Sequence, residues 1–87
     1  MPKNEATEPK TLREAHEVVS ARRPAADADL SVWLTFRQRN ASLYRQVADV
    51  DRGHHHESLY WAGYEDRKAN EVAARIQGKT PVKEAAH

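Results

Sequence analysis

Leu30-Ser31-Val32-Trp33-Leu34-Thr35-Phe36-Arg37-Gln38-Arg39-Asn40-Ala41-Ser42-Leu43-Tyr44-Arg45-Gln46-Val47-Ala48-Asp49-Val50-Asp51-Arg52-Gly53-His54 is the stretch on which the fold turns. Trp33, Phe36, Asn40, Leu43, Val47, Val50 and His54 recur at 3-4-3-4-3-4 spacing. That is the a/d period of a helix that buries one face against another helix. Leu30, Leu34, Ala41, Tyr44 and Ala48 widen the face on one side, enough to take two neighbours. Asp27 or Asp29 can cap the start, so the spacing predicts a helix from about Leu30 to Asp51. Carried past Gly53, the same seam falls on Glu57, Trp61, Tyr64, Lys68, Glu71 and Arg75, which is mostly polar. A different register, Leu59, Ala62, Asp66, Ala69, Ala73 and Ile76 flanked by Val72, is mostly apolar. The phase therefore slips by one residue near Gly53. A glycine inside a helix costs ~1 kcal/mol but suits a left-handed cap. Asp51-Arg52-Gly53 accordingly reads as a hairpin turn, with a continuous bent helix as the alternative.

Working outward, the third helix is expected from about His55 to Gln77, with Gly78, Lys79 and Pro81 as its stop. Arg67, Glu71 and Arg75 fall at i,i+4 spacing on its solvent side. Upstream, Thr11-Leu12-Arg13-Glu14 fits a capping box: the Thr11 hydroxyl accepts from the Glu14 N–H, and the Glu14 carboxylate reaches back to the Thr11 N–H. A helix follows to about Arg22, and Pro24 ends it. Its apolar stripe is thin: Leu12, Ala15 and Val19. Run antiparallel to the second helix, it is expected to bring Leu12 near the middle of that helix, and His16 toward its N-terminal half, about two turns short of Gly53. The expected fold is all-α: an antiparallel helical hairpin with a short N-terminal helix packed across it. Residues 1–10 read as a disordered leader, 11–78 as a single three-helix domain and 79–87 as a disordered tail.

The chain has 87 residues with 14 Lys plus Arg against 13 Asp plus Glu, a formal charge of +1. That balance lacks the net basic field of a dedicated nucleic-acid binder. With no cysteine, disulfides, thiolate zinc sites and thiol nucleophiles are excluded. No apolar run approaches the ~18 residues of a membrane span. Met1-Pro2-Lys3-Asn4-Glu5 has no signal-peptide character, and the expectation is a cytoplasmic protein. Leu, Ile, Val and Phe total only 14, below the ~20% of residues associated with robust cores. A marginal core of this kind favours a protein partner or weak self-association at the ends of the seam.

Three features invite a functional reading. His54-His55-His56-Glu57 offers metal-ligating side chains. Successive helical residues turn by ~100°, so three adjacent histidines splay, and no complete site is expected from them. His54, His55 and Glu57 are the weak metal candidates, with His16 or a second subunit needed to finish a tetrahedron. On that reading, replacing His54 and His55 together by alanine leaves stability within ~1 kcal/mol. Tyr60-Trp61-Tyr64 is the second feature. Tyr60 and Tyr64 share a face and Trp61 points away, so Trp61 is expected in the core and Tyr60 and Tyr64 at an interaction surface. Third, Arg37, Arg39, Arg45 and Arg52 do not share one narrow face, so nucleic acid is not the expected partner. A helix-turn-helix around Val47–Gly53 has its Ala–Gly spacing one residue too long. No phosphate loop, nucleophile elbow or metalloprotease helix is present. No cofactor is implied.

Thr-Leu-Arg-Glu-Ala-His-Glu at 11–17 and Arg-Gly-His-His-His-Glu-Ser-Leu-Tyr-Trp-Ala-Gly at 52–63 resemble a group of short, functionally uncharacterised helical proteins from actinomycete bacteria. The resemblance spans about three quarters of the chain and centres on His54–Gly63. It implies a small cytoplasmic bacterial protein with no established activity, and it transfers no site residues. The expected function is that of a small non-enzymatic interaction or regulatory protein. The alternatives are a metal- or pH-responsive module built on His54–Glu57 and an accessory nucleic-acid-binding protein.

Overall fold

Three helices and one tight turn account for most of residues 8–78, which are the residues described by the computed structural model. The expected tail, 79–87, and residues 1–7 of the expected leader lie outside them. Helix α1 spans Leu12–Ala21, α2 Leu30–Val50 and α3 His55–Ile76. A single 3-10 turn, Arg52–His54, joins α2 to α3. The described body measures 45 × 29 × 15 Å. One helix running through 30–76 would be ~70 Å long, so the chain reverses as the phase slip requires.

The reversal does not use the glycine as expected. Gly53 has no positive φ; among the described residues only Gly78 does, at 77°. Gly78 thus sits where a left-handed C-terminal glycine belongs, just past α3. At the hairpin the chain turns through the 3-10 segment instead. The His54 N–H donates to the Asp51 carbonyl at 2.9 Å, and His55 Nδ1 lies 2.8 Å from the Ala48 carbonyl. The His55 ring therefore satisfies one of the carbonyls that the end of α2 leaves free.

Thr11 caps α1 as its sequence dictates, its Oγ1 accepting from the Glu14 N–H at 3.1 Å. The reciprocal half of the box is shifted by one residue. Glu14 accepts from the Lys10 N–H at 2.8 Å, which leaves the Thr11 N–H out of the box. Just before the cap, Pro9 is buried and Gln46 Nε2 donates to the Glu8 carboxylate at 2.7 Å. The last residues of the expected leader are therefore seated against α2.

Helix α1 runs antiparallel to α2 but reaches farther than expected. Leu12 lies at Asp51, the end of α2, through a 2.8 Å bond from its backbone N–H. His16 meets Tyr44 and Arg22 meets Asn40. The reason is the Asp51 carboxylate, which draws the N-terminus of α1 past the middle of α2. Leu12, Ala15, Tyr44, Val47 and Ala62 form the shared core, with Val19, Leu43 and Trp61 packed on it. Burying each large side chain there contributes ~1.5–3 kcal/mol.

Between α2 and α3 the buried residues of α3 are Ser58, Ala62, Glu65, Ala69 and Val72. That is an a/d seam, but not the expected one. Leu59 and Ile76 stay 43% and 46% exposed, whereas Glu65 is only 3% exposed. Arg37 explains the exchange: its Nη1 donates to Glu65 Oε1 at 3.1 Å, so the carboxylate enters the interface with its counter-charge. Asp66, expected inside, turns outward to pair with Arg45. On α2 the buried set is Phe36, Asn40, Ala41, Tyr44, Val47 and Ala48. Val50 is 54% exposed, since the centre of the face lies between α1 and α3 rather than on the Val50 line.

Candidate functional site

The outward side of α3 follows from its inward one. With Ser58, Ala62, Glu65, Ala69 and Val72 against α2, the 100° helical step places His56, Tyr60, Gly63, Arg67, Asn70 and Ala74 on the opposite side. Tyr60 is 58% exposed, the most exposed of the large hydrophobics among the described residues. Trp61 is half-buried against the core and links that core to the surface. Its ring meets His16 at 5.2 Å and Tyr44 at 6.3 Å on the inner side. On the outer side it meets Tyr60 at 5.2 Å and Tyr64 at 5.4 Å, both edge-to-face. Edge-to-face rings gain beyond simple burial, so the core holds the exposed tyrosine in place. Tyr64, half-buried, carries the Lys68 ammonium 5.6 Å from its ring centre. The structure thus sets Trp61 inward and leaves Tyr60 at the surface, with Tyr64 at the edge between them.

Gly63 lies between these tyrosines. It costs its helix about 1 kcal/mol relative to alanine. Among the described residues no contact requires it: a Cβ at this position would meet only Arg67 Nη1, at an ordinary 3.6 Å.

The second region is the hairpin turn, where the metal candidates diverge. His54 Nδ1 lies 3.0 Å from Asp51 Oδ2, and its Nε2 lies 4.0 Å from Glu57. His55 turns to the Ala48 carbonyl. His56 stacks edge-on with His55 at 5.3 Å and is exposed. Among the described residues no three His, Asp or Glu side chains come together in a way that could hold a metal ion. A shallow groove of about 820 Å³ runs between α1 and the turn, and His16, Asp51, His54 and Glu57 all line it. The sequence reading kept His16 away from the histidine block; the longer reach of α1 brings it to the same groove. There His16 Nδ1 is already engaged by the Tyr44 hydroxyl at 2.7 Å.

Asp51 is the residue that sequence reasoning undervalued, taking it only for the first residue of the hairpin turn. Its carboxylate accepts from the Leu12 N–H and contacts His54, so it caps α1 from across the fold. The Leu12 hydrogen bond, followed by that of His54, holds its carboxyl below the usual carboxylate range. An acid at the end of one helix and a free N–H at the start of another form a pair only once both helices are docked, and no local pattern announces it.

Glu65, Arg37, Asn40 and Arg22 make up a polar layer inside the bundle. Asn40 Oδ1 accepts from Arg22 Nε at 3.1 Å and from Nη2 at 2.8 Å. Burial lowers the Arg22 pKa, and neighbouring Arg39 lowers it further. Burial first, and then the Glu65 charge, push the Tyr44 phenol up to about 12. The arginines of α2 form no continuous strip, in keeping with their spacing, and Arg37 and Arg45 pair with Glu65 and Asp66 on α3.

No protein-family model, no curated protein and no solved structure matches the chain. What stands is an all-α hairpin with a third helix docked on it. No helix among the described residues is long and apolar enough to cross a membrane.

Proposed function

We propose that this chain is a small, non-enzymatic cytoplasmic protein that works by binding another protein chain through the outward surface of α3 around Tyr60 and Tyr64. One observation carries the reading. Tyr60 is largely exposed yet rests on Trp61, whose other side is seated in the core. An exposed aromatic held in place in this way binds at little cost in side-chain freedom, and aromatic anchors dominate protein interfaces. The imidazoles support a metal-responsive reading less well, since His16, His54 and His55 already have partners within the fold. Nucleic-acid binding is disfavoured by the pairing of Arg37 and Arg45 with carboxylates. Membership of the group of short actinomycete helical proteins, proposed from residues 11–17 and 52–63, is compatible with this reading and adds no activity to it.

The test is matched affinity capture from the source organism, with wild type and a Tyr60→Ser, Tyr64→Ser variant as baits. The expected result is one set of proteins held by the wild type and lost from the variant, with the helical content of the variant unchanged. Identical capture by both baits would refute this surface.

A further inference from the structure

We infer that the partner at this surface is a second copy of the same chain, with two α3 helices crossing antiparallel at Gly63. The inference rests on the preceding reading of the α3 surface and names its occupant. His56, Tyr60, Gly63, Arg67, Asn70 and Ala74 follow one another at 4-3-4-3-4 spacing along the side of α3 that faces away from α2. That is the period of a helix–helix seam, on a face whose larger side chains, His56, Tyr60, Arg67 and Asn70, are all exposed.

Gly63 stands at the centre of this line. Glycine weakens a helix interior more than any residue except proline. In this fold only the flexible end of Arg67 comes near the place a Cβ would take. A second helix crossing at that point would use the space, because small residues let two helix backbones approach closely.

Charge then selects the occupant and its direction. In an antiparallel pair centred on Gly63, Tyr60 of one copy faces Arg67 of the other, and Arg67 faces Tyr60. A guanidinium over a tyrosine ring is attractive, and the two-fold makes the contact twice. His56 meets Asn70 in the same register, and Glu71 falls beside the histidines at the start of the other α3. No like charges face each other. A parallel pair would instead set Arg67 against Arg67 and Glu71 against Glu71, both unfavourable. The chain is therefore self-complementary in one orientation only. With a single aromatic anchor per copy the dimer is weak, dissociating in the micromolar range or above.

The experiment is sedimentation equilibrium of the wild type from ten micromolar to one millimolar, beside Gly63→Leu, Tyr60→Arg and Arg67→Glu. Gly63→Ala is melted at both ends of that range. The expected result is a reversible wild-type dimer whose dissociation constant rises about tenfold or more in each of the three variants. Gly63→Ala should melt higher than wild type at the dilute end, where helix propensity alone acts, and lose that advantage at the concentrated end. Mixing Tyr60→Arg with Arg67→Glu tests the register. In the mixed pair the two introduced charges are opposite and face each other, while the other half of the two-fold keeps the native Tyr60–Arg67 contact. Association should therefore be restored relative to either variant alone, and a mixture no tighter than its components overturns the register. A wild type that stays monomeric throughout overturns the self-pairing and leaves the α3 surface to a different protein. A dimer that survives all three substitutions forms through another face and overturns the self-pairing as well. The α3 reading itself fails separately, when capture is indifferent to Tyr60 and Tyr64.

Discussion

Removing Glu65 should damage this protein about as much as truncating a large core side chain. The carboxylate lies in the α2–α3 interface with a side-chain exposure of 4%, and the Arg37 side chain that serves it is 12% exposed. Glu65→Leu leaves a nearly buried guanidinium without its anion. Breaking a buried pair by deleting one partner costs ~3–5 kcal/mol, while a domain of this size has only ~4–11 kcal/mol in total. The same substitution also removes the carboxylate whose field acts on Arg22 and Tyr44. At ~4–8 °C per kcal/mol for a small domain, the melting temperature should fall by ~12 °C or more. Replacing the pair together, Arg37→Met with Glu65→Leu, takes away both charges and fills the space with apolar atoms. That exchange is often neutral or stabilising, so the double variant should recover most of the loss. Urea and thermal melts of wild type, both single variants and the double variant form the required cycle. If Glu65→Leu melts at or above wild type, or if the double variant is no more stable than the worse single one, the pair is not what admits the carboxylate to the seam.

Other expectations follow from single contacts. Gly53 lacks a positive φ and has open space around it, so Gly53→Ala should stabilise by ~0.4–1 kcal/mol in a denaturant melt, whereas Gly78→Ala should destabilise because Gly78 is left-handed. His55→Ala removes the ring from the Ala48 carbonyl and should cost ~0.5–1.5 kcal/mol, against little change for His56→Ala. The double His54, His55 replacement removes this bond together with the His54–Asp51 contact, and single-variant melts will show how the cost divides between the two rings. Asp51 is depressed in the fold, so its contribution is fully present above its unfolded value of about 3.9 and is lost as pH falls through the lower folded value. Protection of the Leu12 N–H, taken as its exchange rate relative to the unstructured chain at the same pH, should therefore fall on acidification in wild type and be lost already at neutral pH in Asp51→Ala. Tyr44 is raised to about 12, so its contribution is complete below about 10 and is lost between about 10 and 12; alkaline melts should show that loss in wild type and not in Tyr44→Phe.

Much of the backbone was legible along the chain because its causes are local. Thr11 with Glu14, Pro24, the a/d spacing from Trp33 to Val47, the phase slip beside Gly53 and the Gly78 stop are all read within a turn or two of helix. They determine three helices, their limits and a reversal after Asp51. The division of the tyrosine–tryptophan cluster was legible too, since a 100° step separates Trp61 from Tyr60 whatever lies around them. Tertiary structure alone decided which charges enter the interior. By composition Leu59 and Ile76 outrank Glu65, and the order inverts only because Arg37, 28 residues away in sequence, supplies the counter-charge across the hairpin. The docking of α1 was likewise decided at a distance: its N-terminus follows the Asp51 carboxylate 39 residues on, and that shift carries His16 onto Tyr44 and into the groove beside the turn. Helix periodicity reports which side chains are apolar. It says nothing of which polar groups will find one another once the helices are docked, because those energies exist only between elements.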